Sequence, residues 1–307
     1  PTISITRGAS PIGSWRSRPV GSRSTGPLGP AGTPISRRSM RRTETAPAPL
    51  RLERPSPLAF ALGVLALALL VSSLMGAEVS IPRFLDGLPR MGELLARMVP
   101  PDTARLEPIA RRLLETMHMA VAGTAIGVVL SLPLAILATR RHAPNAVVRW
   151  LARGLVALFR TVPDLVWALL FVVAVGLGPF AGTLALVVDT IGFCGRFFAE
   201  AMEEVDPGPE EALGALGAGP VAVVACAVIP AAAPSMIASS LYALERAVRS
   251  SVVLGLVGAG GIGIELKVAI DMFAYDQAAT IILGIFALVL VVERLSAAAR
   301  GRIIAGG

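Results

Sequence analysis

An all-α integral membrane protein of about six transmembrane helices is predicted by three observations. The 307-residue chain is 54% apolar and only 16% charged, against roughly 25% charged in soluble domains. Several uncharged runs reach the roughly 20 residues that cross a bilayer as helix. The formal net charge of +7 is almost all arginine, gathered at the chain ends and in one loop. That distribution suits lipid headgroups and cytoplasmic loops and argues against a nucleic-acid partner. Cys194 and Cys226 both fall in apolar segments and read as small hydrophobes, with no metal or cofactor implied.

Residues 1–56 form a basic N-terminal segment, rich in Ser, Pro and Gly, that is expected to be disordered. Met40-Arg41-Arg42 reads as the true start, which would make 1–39 foreign to the native chain. Residues 57–77 are a first span. In 78–115, Leu88, Met91, Leu94, Leu95 and Met98 recur at helical spacing opposite Arg90, Glu93 and Arg97. An external amphipathic helix on the membrane surface is expected there.

A helical membrane core is expected over 116–296. Its first span, Thr116–Thr139, carries Gly123 and Gly127, a pair that lets another helix approach closely. His118 reads as an interfacial residue. Residues 140–160 contain five arginines and no acid, as a cytoplasmic interfacial segment would. Gly176-Leu177-Gly178-Pro179 is a turn signal that divides 161–199 into spans near 163–177 and 180–197. Further spans are expected at 220–243 and 277–293, with 297–307 as a basic cytoplasmic tail. Parity supports the division: the 140–160 loop and the tail both belong inside, so an even number of crossings separates them. Six spans and two cytoplasmic termini result.

The loop 198–219 then faces the cytoplasm, although it is acidic. Asp206-Pro207-Gly208-Pro209-Glu210-Glu211 is a helix start, with proline and acids in the first turn. Gly217 and Gly219-Pro220 end that helix after about two turns. Ala212, Gly214 and Ala215 leave its surface nearly flat. An interfacial lipid-bound helix needs a larger apolar face, so the alternative is a knob that enters a groove on a cytoplasmic protein.

Glu211-Ala212-Leu213, Gly217 and Ile229-Pro230 resemble the EAA loop of ABC-importer permease subunits, with Leu213 replacing the second alanine. Arg160-Thr161-Val162-Pro163-Asp164-Leu165-Val166-Trp167, Val175-Gly176-Leu177-Gly178-Pro179 and Val253–Gly263 resemble the permease of phosphonate ABC importers across roughly 110–300. Two positions depart from that pattern: Asp189 stands where histidine is common, and Ala247 replaces an asparagine. The resemblance implies a type I importer fold and a coupling surface at Glu210, Glu211, Ala212, Leu213, Gly217, Ile229 and Pro230. It also implies a homodimer of this chain in the bacterial inner membrane, two cytoplasmic ATPase subunits and an external solute-binding protein. No enzymatic activity is expected of the chain itself. A nucleotide-binding P-loop needs a lysine in G-x-x-x-x-G-K-[ST], and the only lysine, Lys267, is not in one.

Candidates for the translocation path or gate are Asp164, Asp189, Arg246, Arg249, Gly258, Gly260, Gly261 and Gly263. Acids at bilayer depth are rare and functional as a rule. Asp164 either serves the path or caps a helix after Pro163. Asp189 either pairs with a residue of another helix or stays neutral, since an acid would repel a phosphonate. Arg246 and Arg249 are placed at the outer end of the fifth span, as anion contacts or interface anchors. Gly258–Gly263 also matches G-x-G-x-x-G after a strand-like Ser251–Val257. A gate of closely packed backbones, a plain turn and a dinucleotide loop are the readings open there. Alternatives for the whole chain are an ABC permease for methionine or phosphate, and a secondary transporter driven by protons through Asp164 and Asp189.

Overall fold

The structure is a computed structural model that describes residues 56–78 and 80–305. All but one residue of the N-terminal basic segment therefore lie outside the described residues. The chain divides into two units, one ending at Ala77 and one beginning at Glu78. The first holds α1, Pro57–Gly76, apolar all round. Ser56 caps it by accepting a hydrogen bond from the Ala59 N–H at 3.2 Å. A helix without a polar face that buries none of its residues suits lipid.

The second unit is entirely helical among its described residues. It opens with α2, Ile81–Arg97, which is strongly amphipathic and leaves Leu88, Met91, Leu94 and Leu95 exposed. α3 runs Leu106–Ala138, starting about three turns before the expected span. The charges that kept 106–115 in the expected external segment are paired on the helix: Arg111 with Glu107 at 2.5 Å and Arg112 with Glu115 at 2.7 Å.

Between Thr139 and Pro179 the structure corrects the expected layout. α4, Ala146–Thr161, and α5, Asp164–Val175, meet at a 91° bend. α5 has 12 residues, about 18 Å of helix against a hydrocarbon core of about 30 Å. It is therefore no span by itself, and α4 is no mere surface segment: it buries Ala152 and Val156. Together they are long and apolar enough for one broken span or a re-entrant loop. Pro163 explains the break, since it lacks an N–H and forces the preceding residue out of helix. Five helices are long and apolar enough to cross a bilayer, and six spans result when the bent pair counts as one.

α6, Pro179–Glu204, forms the centre of the bundle and buries more of its length than any other described helix. It packs on α3 through the two glycines the sequence singled out. A Cβ on Gly123 would stand 2.7 Å from the Leu186 Cβ, and one on Gly127 2.5 Å from the Thr190 Cβ. Only glycine lets the backbones come this close. The short α7 covers Gly208–Ala215.

α8 is one continuous helix, Pro220–Leu256, longer than the expected 220–243. The strand-like Ser251–Leu256 is its last part, because burial inside a bundle overrides β-propensity. A π-helical turn at Val224–Val228, in which the Ile229 N–H reaches back to the Val224 carbonyl, lies just ahead of Pro230. Proline cannot donate to the ladder, and the wider turn absorbs the mismatch. α9, Ile262–Asp271, and α10, Tyr275–Ala305, complete the unit. α10 extends through most of the expected tail.

One ion pair clamps α8 to α10. Glu245, 7% exposed at its side chain, accepts from the Arg300 Nη1 at 2.6 Å. Loss of one partner leaves a buried charge unpaired, which costs about 3–5 kcal/mol when both are fully buried and less here, since Arg300 is a quarter exposed. Arg300→Gln is expected to lower the melting temperature of the purified chain. The double change Glu245→Gln/Arg300→Gln is expected to recover part of that loss, and additive losses would show that the pair does not clamp.

Candidate functional site

α7 owes its shape to its ends. Asp206 Oδ1 accepts from the Gly208 N–H at 3.0 Å, and Glu210 and Glu211 lie in its first turn. At the other end Gly217 takes φ +82°, the left-handed region that closes a helix. The Ala218 N–H then reaches the Leu213 carbonyl at 3.0 Å. Glu211, Ala212, Gly214, Ala215 and Gly217 are exposed and Leu213 is half-buried. Leu216 is 84% exposed and Val221 83%.

The two carboxylates of α7 point apart. Glu210 turns into its own chain, 3.5 Å from Arg141 Nη1 and 3.9 Å from His142 Nε2, whereas Glu211 faces out. Arg141, which sequence reasoning left out of the site, thus holds the helix from the loop after α3, with His142 packed beside the same carboxylate. Between that loop, α7 and the start of α8 lies an open groove, lined in part by Glu210, Glu211 and Ile229. Pro230 is exposed just beyond it.

At the opposite end of the bundle, Gly258, Gly260 and Gly261 take φ of +88°, +90° and +75°. Their backbone joins three helices. Gly258 O accepts from the Gly178 N–H at 3.0 Å. The Gly261 N–H donates to Glu115 Oε1 at 3.0 Å and the Ile262 N–H to Thr116 Oγ1 at 2.8 Å. A Cβ on Gly260 would stand 2.5 Å from Pro179 Cα, and one on Gly263 would meet the Val252 carbonyl. No strand precedes this run among the described residues, so the βα unit of a dinucleotide site is missing.

The charged candidates meet between these ends. Asp189 of α6 pairs with Arg246 of α8. Arg246 Cζ also stands 5.0 Å from the centroid of the Phe193 ring, within cation–π range, and Phe193 stacks at a tilt on Tyr242, 5.6 Å between centroids. Arg246 therefore lies within a long helix, not at its outer end, and Arg196 pairs with Glu200 at 2.7 Å and not with Asp189. Asp164, the first residue of α5, accepts only from the adjacent Leu165 N–H at 2.9 Å and does not cap the helix. Phe193 and Tyr242 were missed, because nothing in their local sequence marks them.

This cluster sits near half depth. α3 meets Ile262 through Thr116 at one end and Arg153 through Ala138 at the other, and its contact with Thr190 through Gly127 falls midway. On α8, Tyr242, Arg246 and Arg249 share one arc at 100° per residue. Tyr242 is 47% exposed and Arg249 is exposed as well. An arginine facing lipid at that depth is unfavourable by about 2.5–3.5 kcal/mol on insertion scales, so this arc belongs against another protein surface or water.

Comparison with known proteins fits this architecture. The profile described as "Binding-protein-dependent transport system inner membrane component" matches residues 120–303. The phosphite transport system permease protein PtxC of Stutzerimonas stutzeri is 40% identical over 79% of this chain and 86% of its own length. The phosphate-import permease protein PhnE of Mycolicibacterium smegmatis is 42% identical over 69% of this chain, which spans only 40% of that protein. Among solved structures, the MetNI methionine ABC transporter in an inward-facing conformation matches with TM-score 0.59 and 25% identity, over 66% of this chain and 99% of the other. The chain belongs to the family of multi-pass inner membrane components of binding-protein-dependent transport systems.

Proposed function

We propose that this chain is the permease subunit of an ATP-driven importer for a phosphorus oxyanion such as phosphite or phosphonate. The observation that carries the proposal is α7: a two-turn helix with Glu211, Ala212, Ala215 and Leu216 exposed and held from behind by the pairing of Glu210 with Arg141. Apolar and small residues presented this way call for a docked partner. That partner is a cytoplasmic ATPase, two copies per transporter. Glu211 meets basic groups on it, and Glu210, Leu213, Gly217, Ile229 and Pro230 shape the surface. Both termini are cytoplasmic, and an external binding protein delivers the substrate.

ATP-driven closure draws the two α7 helices together and tilts α8, whose π turn, Pro230 and Pro234 lie next to α7. The Gly258–Gly263 junction forms the outer gate. A second permease chain, most simply another copy of this one, faces the arc of α8 that carries Arg249 across the path between them. The oxyanion reading is supported by relatives whose names specify phosphite or phosphate at about 40% identity, whereas methionine permeases are more distant, at 29–30%.

The test is reconstitution of the chain with its ATPase and binding protein in liposomes, followed by uptake of labelled phosphite, methylphosphonate and phosphate. Uptake of at least one that needs both ATP and the binding protein is expected. ATP hydrolysis by the chain alone, or uptake driven by a proton gradient without ATP, would overturn the reading. A companion measurement fixes the sidedness: a cysteine at Ala215 is expected to react with an impermeant maleimide only in inverted vesicles.

A further inference from the structure

We infer that Arg246 and Arg249, with Tyr242, form an oxyanion station halfway along the path, and that Asp189 is a displaceable counter-ion which yields Arg246 to the passing anion. The inference rests on the importer reading above. It begins from an asymmetry of α8. One arc of this helix is buried among Ala243, Ala247 and Val248. The other carries a tyrosine and two arginines at mid depth, partly or fully exposed. Burial of charge without purpose is selected against in membranes, and an intramembrane arginine marks a path or a partner.

The donors are left free in a particular way. A guanidinium has five N–H groups in a planar fork. Asp189 engages one nitrogen of Arg246 and the Phe193 ring takes its face, yet the Arg246 side chain stays 34% exposed. Arg249 has no carboxylate partner among the described residues. With Asp164, whose charge also reaches Asp189, the two acids and two arginines balance to zero while the path is empty. Planar forks match the paired oxygens of a tetrahedral phosphorus anion, and the Tyr242 hydroxyl adds a donor on the same arc.

The carboxylate is the part that a pure binding site would lack. Conduction needs a site favourable enough to enter and weak enough to leave. Two bare arginines at low dielectric would hold a dianion too tightly. Asp189 keeps Arg246 neutralised while the path is empty, and it takes Arg246 back as the anion moves on. Phe193 holds the guanidinium in place during the exchange.

The experiment uses the complete reconstituted transporter, with phosphite and methylphosphonate as probes and size-exclusion elution as the control for assembly. Arg249→Gln is expected to reduce uptake at least tenfold, and Arg249→Lys to restore part of it, because the charge remains while the planar fork is lost. Asp189→Asn is expected to lower both KM and kcat: tighter capture and slower release, a split that damage to the fold does not produce. Wild-type uptake in Arg249→Gln, equal loss in the glutamine and lysine variants, or a raised KM in Asp189→Asn would each overturn the station. A wild-type transporter that moves no phosphorus oxyanion at all would instead overturn the importer reading on which the station rests.

Discussion

Replacement of Gly217 by aspartate is expected to bring uptake down to background while leaving the chain in the membrane in normal amount. Two effects combine at this position. Gly217 sits at φ +82°, where a side chain is strained by roughly 1–2 kcal/mol. Aspartate tolerates that conformation better than most residues, so the end of α7 is perturbed and not destroyed. A Cβ there meets nothing within 4 Å in the chain itself, so the fold has room for the new group. The change is therefore felt by whatever docks. It places a carboxylate beside Leu216, which is 84% exposed, in a patch that must lose its water when covered. A buried unpaired charge is far more costly than the strain. The measurement is paired: permease content of the membrane fraction and co-purification of the ATPase, beside uptake. If the variant retains its ATPase and transports normally, α7 is not the docking element.

The same position shows what local sequence carries. Gly217, the prolines and the acids of α7 are short-range signals, and each acts within a few residues of itself. So does the pair Gly123 and Gly127, whose spacing announces a close helix contact without naming Leu186 and Thr190 as its other half. Hydropathy delivers the membrane class and most spans for the same reason, since it sums over neighbours. What was illegible depends on distant partners. Arg246 reads as the end of a span until Asp189, far away in the chain, neutralises it. The charged start of α3 reads as part of an external surface segment until its charges are seen to pair along the helix. Val252 and Val253 suggest a strand until the bundle buries that stretch of α8. The break at Pro163 was visible, but whether α4 and α5 make two elements or one bent crossing follows from a 91° angle that no composition encodes.

Replacement of Gly263 by valine is expected to remove most of the folded protein. The glycine lies in the first turn of α9, where a Cβ would meet the Val252 carbonyl of α8 and stand 2.8 Å from Gly255 Cα. Both obstacles are backbone, so no side chain can rotate away. The contact is reciprocal, for a Cβ on Gly255 would stand 2.7 Å from Gly263 Cα. Overpacking of a core costs about 1–3 kcal/mol when side chains can adjust, and here α9 must lift off α8. That movement pulls the Gly261 and Ile262 N–H groups from Glu115 and Thr116, at about 1 kcal/mol for each bond. It also uncovers Ile262, which is fully buried. Gly214→Val is the matched control, since a Cβ at Gly214 meets open space and should change stability little. The check is a thermal unfolding curve of both variants in the same detergent, with a fall of about 10 °C or more for Gly263→Val if the protein is recovered at all. Equal melting of the two variants would mean that α8 and α9 are not locked at Gly255 and Gly263. The junction would then be loose enough to move without breaking, and the outer gate would have to be sought in a different part of the bundle.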